Sequence, residues 1–122
     1  MVLGERKMEQ YIAYLNETIT ALQVEEQDLI RSERKDDANF IRIKINICDI
    51  CRTIYNVSAK TYSGVALKEE YTRQLTRLPE NWKISLDKAK EHGDTKKIVV
   101  EETKLEMFAE IKQKFEELGA CE

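Results

Sequence analysis

The stretch Asp37–Tyr62 carries two incompatible periods, and whichever governs decides the fold class. Ile41-Arg42-Ile43-Lys44-Ile45-Asn46-Ile47 alternates apolar and polar, the period of a half-buried strand. Phe40, Ile43, Ile47, Ile50, Ile54, Val57 and Thr61 recur at steps of three and four, which aligns them along one face of a helix. The helical pattern accounts for about six turns, whereas the alternation covers one short run and fails at Cys48-Asp49. No second alternating segment exists for such a strand to pair with, so the helix is the reading. A further apolar stripe, Ile41, Ile45, Cys48, Tyr55 and Ala59, lies beside the first seam. Arg42, Asn46, Asp49, Thr53, Asn56 and Lys60 are left as the polar strip. A helix apolar over more than half its surface is covered on several sides, so this one is expected at the centre of a bundle.

The rest of the chain fits that expectation. Met8, Ile12, Leu15, Ile19, Leu22 and Leu29 form a heptad-like seam interrupted at Glu26, widened by Tyr11 and Ile30. Asp36 and Asp37 are the candidate caps of the second helix, since a carboxylate accepts from orphan backbone N–H groups. Ser63-Gly64 breaks the pattern, Leu67, Tyr71, Leu75 and Leu78 resume it, and Pro79 ends that short helix and opens the next. Trp82, Leu86 and Ala89 give the fourth helix a weak apolar face, and Gly93 suits a left-handed cap after His92. Asp94 or Thr95 starts the last helix, whose seam is Ile98, Leu105, Phe108, Ile111, Phe115 and Leu118, with Gly119 closing it. The predicted fold is all-α, one domain over residues 1–122. It is an antiparallel bundle of four or five helices at about 4–34, 37–62, 66–78, 80–92 and 95–118.

Composition narrows the function classes. One Pro and four Gly among 122 residues, with 35% charged, suit long helices. A net charge of −3, with basic residues interleaved among acids, gives no electrostatic footprint for nucleic acid. No run approaches the roughly 20 apolar residues of a membrane helix. Three cysteines, an odd number, and no apolar stretch after the first charges predict a cytoplasmic protein rather than a secreted disulfide scaffold.

Candidate chemistry is sparse. Cys48-Asp49-Ile50-Cys51 places two thiols on one side of a helix, a dithiol or half of a zinc site, with Cys121 and the sole histidine, His92, as the remaining ligand supply. Free cysteine is also among the most buried residue types, and packing is the competing reading. His92 equally suits a helix C-terminus. Glu102, Glu106 and Glu110 form an acidic ridge that, with the pairs Glu25-Glu26, Glu69-Glu70 and Glu101-Glu102, is the only basis for a divalent-cation site such as a small metal-dependent hydrolase uses. Glu102 and Glu106 are its metal candidates beside Cys48 and Cys51. A solvated face explains the ridge as well. Asn46, Asp49 and Asn56 line a pocket or form the exposed strip of the central helix. Tyr62, Tyr71 and Trp82 cluster near the Gly64 and Pro79 breaks; they suit the lid of a small core and are also the interface candidates. The leading expectation is a non-catalytic interaction protein that needs no cofactor and pairs with itself, as a homodimer through the first or last helix, or with another protein. Metal-dependent hydrolysis and a thiol site are the rivals.

Overall fold

Five helical segments account for almost all of residues 3–118, the part of the chain that the computed structural model describes. They are α1 (Leu3–Arg31), α2 (Lys35–Ser58), α3 (Gly64–Arg77), α4 (Glu80–Glu91) and α5 (Thr95–Glu117), with no strand among the described residues. The expected closing residue of α5, Gly119, lies outside the described residues. The all-α bundle is thus the fold, and no described helix is long and apolar enough to cross a membrane.

Local chemistry explains the boundaries. Helix α1 ends at Arg31 rather than Arg34 because Glu33 adopts a left-handed conformation (φ 61). Its N–H donates to the Ile30 carbonyl and the Arg34 N–H reaches back to Leu29, at 3.1 and 2.8 Å. This pair of bonds is the Schellman closure, which satisfies two orphan carbonyls. The same closure ends α4, where Gly93 (φ 65) donates to Lys90 and Asp94 to Ala89. Gly93 is the expected cap, whereas Glu33 fills the same role with a Cβ. Helix α2 begins at Lys35, so Asp36 and Asp37 occupy its first turn and are not its caps. Asp37 instead accepts from Arg34 Nε at 2.8 Å. Asp94 does cap α5, its Oδ1 accepting the Lys97 N–H at 3.1 Å. Only Leu78 and Pro79 separate α3 from α4, both with right-handed helical backbone, so these segments form one helix broken at the proline.

Helix α2 packs against α1, α3 and α5, while α4 lies mainly on α5. Helices α1 and α2 run in opposite directions: Glu26 meets Arg42 near one end, and Asn16 meets Arg52 towards the other. The core gathers Met8, Tyr11, Leu15 and Ile19 of α1, Tyr71 and Leu75 of α3, and Met107, Phe108, Ile111 and Phe115 of α5 around α2. The seams of α1 and α5 therefore face inwards.

Helix α2 is central, but it is rotated from the expected register. Its buried residues are Ala38, Ile41, Ile45, Ile47, Cys48, Cys51 and Ser58. The stripe through Ile41, Ile45 and Cys48 is the one covered by neighbours, although Ala59 at its end is exposed. Of the first seam only Ile47 is buried. Ile50 keeps 36% of its surface and Val57 57%, and Thr61 is exposed beyond the helix end. The physical reason is size. Ala38, Cys48, Cys51 and Ser58 are small and allow close approach of neighbouring backbones on the side that also buries Ile41 and Ile45, whereas the seam through Phe40, Ile43, Ile50 and Ile54 holds no such small residue and sits at the margin of the contact.

Candidate functional site

At the bundle centre the aromatic residues meet through polar atoms. The Tyr11 and Tyr71 hydroxyls lie 2.7 Å apart, and Tyr71 donates to the Cys51 carbonyl at 3.0 Å. Tyr71 gives its proton to that carbonyl, so Tyr11 is the donor to Tyr71. Both rings are fully buried and stand edge-on to Phe115, with centroids 4.9 and 5.5 Å away, and Tyr55 is edge-on to Tyr71. Burial, the largest influence, pushes both phenols well above their usual range. The network is a closed structural junction of α1, α2 and α3 beside α5. Of the two readings of Tyr71, the lid of the core or an interface, the core is where it lies, because its hydroxyl finds partners inside.

Cys48 and Cys51 are both free and buried in the described structure. Burial raises the Cys48 thiol to about 11 and the Cys51 thiol to about 12. A thiol held that far above neutrality is a poor nucleophile and a poor metal ligand. His92 caps the exposed end of α4, and Cys121 lies outside the described residues. Glu102, Glu106 and Glu110 all point to solvent. Among the described residues no three His, Cys, Asp or Glu side chains gather to hold a metal ion.

Asn46, Asp49 and Asn56 are exposed. Asp49 accepts from Arg52 at 2.7 Å, and Arg52 also donates to Asn16 of α1 at 2.9 Å. They form a surface strip rather than a pocket lining. Tyr62 is exposed in the α2–α3 connection. Trp82 is half-buried, its ring 5.9 Å from that of Phe108 and edge-on to it.

Three charged side chains, Glu26, Lys68 and Glu101, are buried among the described residues, and the sequence did not mark any of them as buried. Glu26, the interruption in the α1 seam, is gripped by Arg42, whose Nε and Nη2 donate to its two carboxylate oxygens at 2.8 and 2.5 Å. Glu101 is buried on α5, with Oε1 accepting from Lys104 at 3.1 Å and Oε2 without a partner among the described residues. Its position was visible, since Ile98, Glu101, Leu105 and Phe108 share one helical stripe. The neighbouring Glu102 drew it into the reading of an acidic pair.

One surface stands apart. Along α2 the half-covered seam runs through Phe40, Ile43, Ile50, Ile54 and Val57, edged by exposed Asn39, Asn46 and Thr53. On a chain that is 35% charged, this strip carries no charged side chain between Arg42 and Lys60 except Lys44, on its inward side, and the mutually paired Asp49 and Arg52. No known protein family, curated protein or solved structure matches this chain.

Proposed function

We propose that this protein is a non-catalytic interaction module that works by associating with a second copy of itself. The observation that carries the proposal is the half-covered α2 seam, which leaves Ile50 and Val57 open to solvent at helical spacing on a charge-poor face. Scattered apolar residues on a surface mean little, but an ordered apolar strip depleted of charge has the composition of an interface core. A helix that retains apolar residues at steps of three and four beyond what its own bundle covers is built to accept another helix.

The route differs from the one the sequence suggested. The seams of α1 and α5 were the expected contact surfaces, yet Met8, Leu15 and Ile19, like Phe108, Ile111 and Phe115, are buried within the bundle. The open seam belongs to α2. Light scattering of the full chain at micromolar concentration tests the proposal: a particle of twice the 14.3 kDa chain mass is expected. A monomer that persists as concentration rises would overturn it.

A further inference from the structure

We draw no further inference here: the strongest candidate, the apolar surface patch of Val57, Tyr62 and Val65 exposed around the α2–α3 turn, is an unpartnered face, and nothing in the structure shows what covers it.

Discussion

Tyr71 illustrates how a single hydroxyl is fixed by the company it keeps. It donates to the Cys51 carbonyl and accepts from Tyr11, both bonds fully enclosed. Tyr71→Phe removes the acceptor for Tyr11 and strands a buried O–H, which costs about 1–3 kcal/mol. Tyr11→Phe leaves the Tyr71–Cys51 bond in place and should cost about 1 kcal/mol or less. Because both changes break the same bond, the double variant is expected to lose less stability than the two single losses added. Urea denaturation of the four proteins measures this coupling, and strict additivity would show that the two hydroxyls act independently. Glu26 is the second residue of this kind. Its carboxylate is buried, while the Arg42 side chain that grips it is half-exposed. Arg42→Ala leaves a buried charge unpaired and should cost about 2–3 kcal/mol. Glu26→Leu frees an arginine that water can solvate and continues the seam from Leu22 to Leu29, so thermal melts should show little loss or a gain.

At the level of elements, the helix ends divide into those the sequence disclosed and those it concealed. Gly93 reads as a left-handed cap and adopts φ 65. Glu33 performs the same closure at φ 61, and nothing in a run of charged residues announces it. A Cβ in that region of backbone space costs roughly 1–2 kcal/mol, part of which glycine returns as unfolded-state entropy. Glu33→Gly is therefore expected to raise stability by about 0.5–1 kcal/mol, read as an increased urea midpoint; a lowered midpoint would mean that the Glu33 side chain contributes more than its backbone costs. The existence and order of all five segments, the break at Pro79 and the central place of α2 were legible, because apolar spacing records them directly. The rotation of α2 was not. Its two stripes are equally apolar, and only the small residues Ala38, Cys48, Cys51 and Ser58 distinguish the side that neighbours approach. The candidate site was less legible still. Tyr71 carries the same polar tip whether it meets water or Tyr11, and Cys48 and Cys51 keep their three-residue spacing whether reactive or merely packed.

For the whole molecule, the buried proton donors set a pH limit. Folding raises Cys48 from the usual thiol value of 9.0 to about 11 and Cys51 to about 12, and lifts Tyr11 and Tyr71 above the usual 10.0. A raised folded value means that the unfolded chain releases its protons first. The stabilisation is complete below pH 9.0 and declines as pH climbs through and past that value. Urea midpoints should hold steady from neutrality to about 9 and fall beyond it, and a midpoint unchanged past pH 10.0 would contradict the burial of these groups. The same enclosure that keeps these groups neutral leaves the opposite side of α2 uncovered, and it is that contrast between two faces of one helix that the proposed self-association uses.

The inner face of α2 can be examined directly in a Cys121→Ser chain, whose remaining thiols are Cys48 and Cys51. Both should resist a small thiol reagent in native protein at neutral pH and react promptly once denaturant is added. Rapid modification of either thiol in the folded chain would contradict the enclosed position of α2.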